Sequence, residues 1–373
     1  MQSFHLSLIA VFFLFCGCSP KSAKDLPPAA GLQEALNNFE SEYFTNGPLK
    51  GAIVGIIRND KREVYAFGYR DIEQALAPDL FTTFEIGSIS KTFTATMLAQ
   101  AVLSGKCTLD APAQNYLPAG EVSVPAFEDT VITLEDLATH TSGLPRMPAN
   151  IGLYLFKNPD NPYASYPVSE LYRSLSNTKL KTPPGNNFAY SNMGFGLLGH
   201  ILGRIHQSDY ETSLRETVLA PLGMNHTTLV LTDSQRLNLA LPYEKSKKIS
   251  NWDFTDAFAG AGAIKSNLND MFLYLEAQMG LSTSPLDSAI AFSHIPRRPD
   301  GGSGKVGLGW MISDPEKGQT TIWHNGATGG YQSFLGFYPD SKTGVIVLSN
   351  TSTPSMQEAT KAGFYLLKAA AKQ

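Results

Sequence analysis

The feature that most constrains this chain is where its strand-like runs fall. They lie near the two ends, with a long helical stretch between them. Residues 51–57 are an unbroken apolar run, Asn59-Asp60 supplies a turn, and residues 63–69 alternate. That pattern is a β-hairpin. Toward the other end, residues 306–312, 320–323, 332–338 and 344–348 have strand character. From about residue 109 to 288 the chain reads as helices and loops, with helical runs at 195–205, 210–219 and 269–279. Ser266 or Asn267 is placed to cap the last of these. A helix over 93–103 ends at Gly105, a C-cap signal. Two more helices bracket the chain. In residues 32–44, Leu32, Leu36, Phe39 and Tyr43 share one face, and residues 356–371 are amphipathic. Strands from both ends can close one antiparallel sheet, with the terminal helices covering a face. The expected fold class is therefore α/β of the α+β type: an antiparallel sheet flanked by N- and C-terminal helices, plus a mainly helical lobe inserted over about 109–288. A cleft between the two lobes is the expected place for a site.

Composition narrows the function classes. The 373 residues carry 29 Lys and Arg against 33 Asp and Glu, a net charge of −4. That balance argues against nucleic-acid binding, which needs Lys and Arg to neutralise phosphates. A 43% hydrophobic and 17% charged chain is not a disordered one. Three cysteines are too few for a disulfide framework. Cys107 reads as a buried small hydrophobe. The seven histidines show neither H-x-x-x-H spacing nor cysteine neighbours, so neither a metal nor another cofactor is expected.

The first residues read as processing signals. Residues 8–15 are apolar but too few to span a bilayer, which needs about 20. They suit a secretory h-region. Gly17-Cys18 resembles the end of a bacterial lipoprotein signal, although Phe15 stands where that signal normally has leucine and no Lys or Arg precedes it. Lipidation at Cys18 and plain signal cleavage nearby are both open readings. The expected division is 1–17 signal peptide, 18–31 flexible tether with three prolines, and 32–373 the folded domain. The expected location is the cell envelope, periplasm or cell surface, with the membrane reached by the lipid anchor only.

Three short segments carry chemistry. In Gly87-Ser88-Ile89-Ser90-Lys91, a serine and a lysine sit three apart at the start of a helix. Residues i and i+3 share a face, so the amine can reach the hydroxyl. A serine needs such a neighbour to become a nucleophile. Tyr190-Ser191-Asn192 opens an apolar helix after the turn Pro183-Pro184-Gly185-Asn186, about 100 residues on. His324-Asn325-Gly326 follows a strand-like run, about 134 residues further.

In that order and spacing the chain resembles the penicillin-binding serine hydrolases of the class C β-lactamase and D-alanyl-D-alanine carboxypeptidase superfamily. Further segments extend the resemblance: residues 132–145 ending in His140-Thr141-Ser142-Gly143-Leu144-Pro145, then Pro221-Leu222-Gly223-Met224, Leu308-Gly309-Trp310 and Gly330-Tyr331-Gln332-Ser333-Phe334. It implies a β-lactamase/transpeptidase-like fold with Ser88 as acyl-accepting nucleophile, Lys91 tuning proton transfer and Tyr190 exchanging protons with Ser88 and the leaving group. It also implies that Asn192 bonds substrate and Lys91, that the N–H groups of Ser88 and Ala327 form the oxyanion hole, and that His324 and Gly326 face the substrate. His324 stands where class C β-lactamases have lysine and resembles the peptidases, aminopeptidases and esterases of the superfamily. The implied substrates are a peptidoglycan stem peptide ending in D-Ala-D-Ala, or a β-lactam. The leading expectation is a carboxypeptidase or endopeptidase. A class C-type β-lactamase, a small-acyl esterase and a slow penicillin-sensing binder are the alternatives.

Other signals are set aside. Gly194-x-Gly196-x-x-Gly199 lacks the strand and acidic residue of a dinucleotide site, and reads as close helix packing. Gly304-Lys305 lacks the rest of a phosphate loop. His140 is expected to bond a loop beside the site. Tyr154, Phe156, Tyr163, Tyr166 and Tyr172 read as lobe core or groove lining. The literal Lys342-Thr343-Gly344 is flanked by Pro339, Asp340 and Ser341, which mark a hairpin turn. Lys342 is therefore expected to be an exposed turn residue, and His324 to line the cleft.

Overall fold

A computed structural model describes residues 29–58, 60–313 and 319–372. The expected signal peptide, Cys18 and most of the tether lie outside these residues. Ala29, at the end of the expected tether, is already packed against the terminal helices, and its carbonyl accepts from Lys372 Nζ at 3.2 Å.

Both ends of the chain build one eight-stranded sheet. Its strand order is Lys61–Gly68, Gly51–Arg58, Thr343–Ser349, Gln332–Tyr338, Thr321–Ala327, Met311–Ser313, Lys305–Val306, Arg298–Pro299. All neighbours are antiparallel. The N-terminal hairpin docks beside the last long strand, with Ile53 opposite Leu348 and Val54 opposite Val347. Successive side chains of a strand point to opposite faces, and both faces are covered. Val54, Ile56, Trp323, Phe334, Val345 and Val347 pack with the terminal helices Leu32–Glu40 and Glu358–Ala370. Ile53, Ile57, Ile322, Leu335, Phe337, Ile346 and Leu348 join the core of the helical lobe and the helix Ser90–Leu103. This is why the central strands read as continuous apolar runs rather than alternating ones.

Two boundaries and one burial differ from expectation, each for a physical reason. The helix expected at 93–103 starts at Ser90. Its first residues Ser90, Lys91 and Thr92 are polar yet fully buried, so apolar periodicity could not find them. The run expected as one strand at 306–312 is broken at Gly309, whose φ of 68° is left-handed. The break lets the Gly309 N–H reach the Ala138 carbonyl at 2.9 Å and lays this loop on the backbone of Lys91. Lys342 lies in the expected turn between strands Gln332–Tyr338 and Thr343–Ser349, but it is half-buried rather than exposed. Its ammonium donates to the carbonyl of Met279, the last residue of the helix Leu268–Met279. A cation is favoured at a helix C-terminus.

Among the described residues no helix is long and apolar enough to cross a membrane.

Candidate active site

Two glycines bring the end of a strand onto the turn that carries Ser88. Ser88 sits in the 3-10 turn Gly87–Ile89, which runs directly into the helix Ser90–Leu103. Gly87 has φ 51°, and a Cβ there would stand 2.7 Å from the Ala327 nitrogen. A Cβ on Gly326 would stand 2.0 Å from the Ile86 oxygen. Side chains at either position would push the strand Thr321–Ala327 off the turn. Ser333, on the neighbouring strand, ties the same place by donating to the Ile86 carbonyl at 2.8 Å.

One helical turn after Ser88, Lys91 is fully buried. Its Nζ lies 3.0 Å from Ser88 Oγ and 2.6 Å from the Ala261 carbonyl oxygen. An ammonium has three hydrogens to place, whereas a neutral amine accepts one hydrogen bond readily. Nζ donates to both partners, Ser88 Oγ and the Ala261 carbonyl, and in its neutral form it can take up the Ser88 proton. Burial, and then the positive charge of Arg146, hold the Lys91 pKa well below that of an ordinary lysine.

Tyr190 precedes the helix Asn192–Ile205, and its loop is fastened from two sides. The Ser191 hydroxyl donates to the Pro145 carbonyl at 2.7 Å and accepts from the Gly194 N–H, capping the helix. The N–H groups of Asn192 and Met193 both donate to the Arg146 carbonyl, at 3.0 and 3.2 Å. His140 holds the other side. Its φ of 59° is unusual for a residue with a side chain. Its carbonyl accepts from the Ala189 N–H at 2.7 Å, and its Nδ1 from the Ser191 N–H at 3.1 Å. The imidazole stacks on the Tyr190 ring with centroids 4.2 Å apart. This is the loop-bonding role expected of His140. Lys91 Nζ is 4.9 Å from the Tyr190 ring centroid, and the Arg146 guanidinium carbon 5.1 Å. Burial pushes the Tyr190 phenol up to about 12, against the lowering effects of its hydrogen bond with Ser88 and of Arg146. The resting Tyr190 is thus a neutral phenol.

His324 lies on the sheet face that looks into the lobe, 6.3 Å from Tyr190 between ring centroids. Its Nδ1 is 2.6 Å from the Asn325 carbonyl. A carbonyl only accepts, so Nδ1 carries the hydrogen and Nε2 is left as an acceptor. Burial, then the charge of Lys91, lower its pKa to about 3. Position 324 therefore carries no charge near neutrality.

The structure brings Ser88, Lys91, Tyr190, Asn192, His324, Gly326 and Ala327 to one place. One expected contact is not made. Lys91 donates to Ala261, and the Asn192 amide instead lies 3.5 Å from the Met147 sulfur. Asn192 Oδ1 is buried without a partner. Asn192 lines a cleft with Ser88, Ala327 and Thr328, whose lining is otherwise largely aromatic: Tyr163, Trp252, Phe254 and Phe258. Tyr163 stacks on Phe254 at 4.8 Å. Of the aromatic group singled out in the sequence, only Tyr163 lines this cleft, Tyr166 is core, and Phe156 is 88% exposed. Trp252, Phe254 and Arg146 were missed. They lie in loops, where no periodicity marks them, and only the position of Arg146 directly after Pro145 was a signal. The glycines 196 and 199 pack a helix closely, as expected, against Ala257 and Gly260. Among the described residues no acidic, histidine or cysteine cluster could hold a metal.

The family model described as Beta-lactamase matches residues 36–370. The chain belongs to the Beta-lactamase family. Its fold is that of the class C enzymes. It superposes on a class C beta-lactamase with a TM-score of 0.78 at 24% identity, covering 91% of this chain and 96% of that one. A Beta-lactamase/D-alanine Carboxypeptidase from Yersinia pestis gives a TM-score of 0.78 at 25% identity, covering 92% and 99%. In sequence it is 28% identical to a Beta-lactamase of Pseudomonas fluorescens, over 91% of this chain and 99% of that protein. It is 26% identical to the D-alanyl-D-alanine-carboxypeptidase/endopeptidase AmpH of Escherichia coli K12, over 86% and 84%. The chain is thus a Beta-lactamase family serine hydrolase.

The buried groups of this Beta-lactamase family member predict acid sensitivity. Burial lowers the pKa of His140, His294 and His324 and raises that of Glu85 to about 7. The unfolded histidines take protons below about pH 6.5 and the folded ones do not, so stability falls as the pH drops through that value. For His294 and His324 the loss levels off near pH 3. Glu85 acts oppositely, since the folded carboxyl gains its proton near pH 7 and the unfolded one nearer 4.3. The histidines outweigh Glu85, so stability falls as the pH drops below about 6.5. Urea titrations at pH 7, 6 and 5 should show the midpoint dropping steeply. A midpoint that holds constant to pH 5 would contradict these burial effects.

Proposed function

We propose that this chain is a peptidase for D-Ala-D-Ala-type cell-wall peptides, working through an acyl-enzyme on Ser88 and acylated there by β-lactams. The observation that carries the reading is the Lys91 amine 3.0 Å from Ser88 Oγ, beside a phenol and opposite an uncharged His324. Lys91 takes the Ser88 proton as Oγ attacks the substrate carbonyl. Negative charge developing on that oxygen is met by the N–H groups of Ser88 and Ala327, donors that contribute about 3–4 kcal/mol each in such sites. Tyr190 gives its phenolic proton to the leaving nitrogen and is reprotonated by Lys91, which holds the proton taken from Ser88. Asn192, with a buried carbonyl oxygen lacking a partner, holds the substrate amide. Water then cleaves the ester by the reverse relay. The neutral Nε2 of His324 accepts a hydrogen bond and does not clamp a carboxylate as a lysine does. A D-Ala-D-Ala terminus and a β-lactam both carry a carboxylate, so the missing charge does not choose between them; what supports the peptidase is that a histidine stands where class C β-lactamases have lysine.

The β-lactamase reading is favoured by one observation, the 28% identical relative of that name matched over nearly its whole length. The two readings differ in the lifetime of the penicilloyl ester. Incubating the folded domain with penicillin and with a D-Ala-D-Ala peptide, and following intact mass and released D-Ala, separates them. A long-lived adduct with D-Ala release supports the peptidase, and rapid penicillin turnover without D-Ala release supports the β-lactamase. No adduct and no turnover with either would remove both. The same reading places the domain in the cell envelope, held by lipid on Cys18 or released after plain signal cleavage.

A further inference from the structure

Behind the cleft lies a buried carboxyl that the acyl transfer does not use. Glu85 is three residues before Ser88, and only 3% of it is exposed. It pairs antiparallel with Lys265 across a two-residue bridge, Phe84–Glu85 on Lys265–Ser266. Its Oε1 accepts the Trp252 backbone N–H at 2.5 Å. Its Oε2 is buried with no partner, and so is the hydroxyl oxygen of Thr328. Trp252 and Thr328 both line the cleft with Ser88. The Trp252 indole also rests on the cleft strand's extension, since a Cβ on Gly329 would meet its Nε1 at 2.6 Å.

We infer that Glu85 is a positioning residue of the acyl site, whose carboxyl fixes the Trp252 wall and the Ala327–Thr328 backbone in one arrangement over Ser88. This rests on the proposed acylation of Ser88. The chain from Glu85 to Ser88 is short, and Ala327, the second oxyanion donor, adjoins Thr328. A carboxyl here therefore acts on the oxyanion hole in two ways. It orients the strand end, and its charge state sets the local potential.

The groups facing it are Lys265, Asp253, Tyr331, Thr328 and the Trp252 N–H. Lys265 Nζ is itself committed to the Leu229 carbonyl at 3.0 Å and Asp253 Oδ1 at 3.3 Å. Burial holds the Glu85 carboxyl up at about 7, against the lowering effects of Lys265, Thr328 and Trp252. Below that pH the neutral acid has a proton to share with Thr328. Above it, a carboxylate stands behind the point where the oxyanion forms. Like charges oppose each other more strongly in a water-poor site than in water. The protonated form is thus the better support for acylation.

Glu85→Gln keeps the shape and the Trp252 bond and removes the titration. The experiment measures penicillin acylation rates of wild type and Glu85→Gln from pH 6 to 8.5, with a thermal melt at each pH. The ratio of variant to wild-type rate should climb about fivefold or more across that range. Glu85→Ala should raise KM for an aromatic acyl donor more than for an acetyl one, because the Trp252 wall loses its tether. A pH-independent rate ratio in folded Glu85→Gln would overturn the inference and leave Glu85 as a packing residue. Wild type that penicillin does not acylate at any pH would instead overturn the acyl-enzyme reading beneath it.

Discussion

Ser88→Ala should give a folded protein that labelled penicillin no longer modifies. Ser88 Oγ is the hydroxyl held against the Lys91 amine, and without it the oxyanion donors have no activated nucleophile to assist. Labelling should fall from stoichiometric to undetectable, a loss of at least about 10³-fold in rate. The structural cost is small. Ser88 is partly exposed, and its side chain bonds only Lys91 and Tyr190. Losing such a bond costs about 1 kcal/mol. The neighbouring hydroxyl of Ser90 cannot substitute. It is fully buried and accepts from the Ile264 N–H at 3.1 Å. Intact-mass spectra of the variant after a long incubation make the check. Stoichiometric labelling at any other serine would show that the nucleophile lies elsewhere.

Much of this fold was legible because its central strands and helices carry strong local signals. The hairpin at 51–68, the strand Gln332–Tyr338 and the helix Asn192–Ile205 each announce themselves by apolar runs between turn residues. Choosing between two candidates for the third motif needed context. Lys342-Thr343-Gly344 matches a lysine motif letter for letter, yet Pro339, Asp340 and Ser341 mark a turn, and the structure puts it at the end of the sheet. His324, on the strand that crosses the Ser88 turn, is the one beside Tyr190.

What stayed hidden depends on loops and on long-range pairing. Trp252 and Phe254 form a wall of the cleft from a segment with no periodicity. Glu85 reads in the sequence as one more acidic residue. Only its pairing with Lys265, 180 positions later in the chain, reveals that it is buried beside the site. Arg146 likewise gains meaning only when the chain folds it over Tyr190. Local patterns report local structure, whereas burial of a polar group is decided by what arrives from elsewhere in the chain.

Tyr190→Phe should slow acylation by about 10²–10⁴-fold, the usual worth of a general acid or base. The ring would remain in place. His140 stacks on it at 4.2 Å, and neither Arg146 nor Lys91 depends on the oxygen for its contact with the face. The size of the loss should depend on the leaving group, and that dependence tells the two bases apart. With the phenol pushed up to about 12, Tyr190 holds its proton at neutral pH and serves as the acid. An amide nitrogen departs only when protonated, so peptide and penicillin acylation should suffer the full loss. A nitrophenyl ester leaves as a stable anion and needs no such proton, so its acylation should fall by less than about tenfold, with Lys91 still removing the Ser88 proton. Equal losses for both substrates would instead make Tyr190 the base that activates Ser88. That outcome requires a phenolate, and so requires the charges of Lys91 and Arg146 to outweigh the burial that the structure shows.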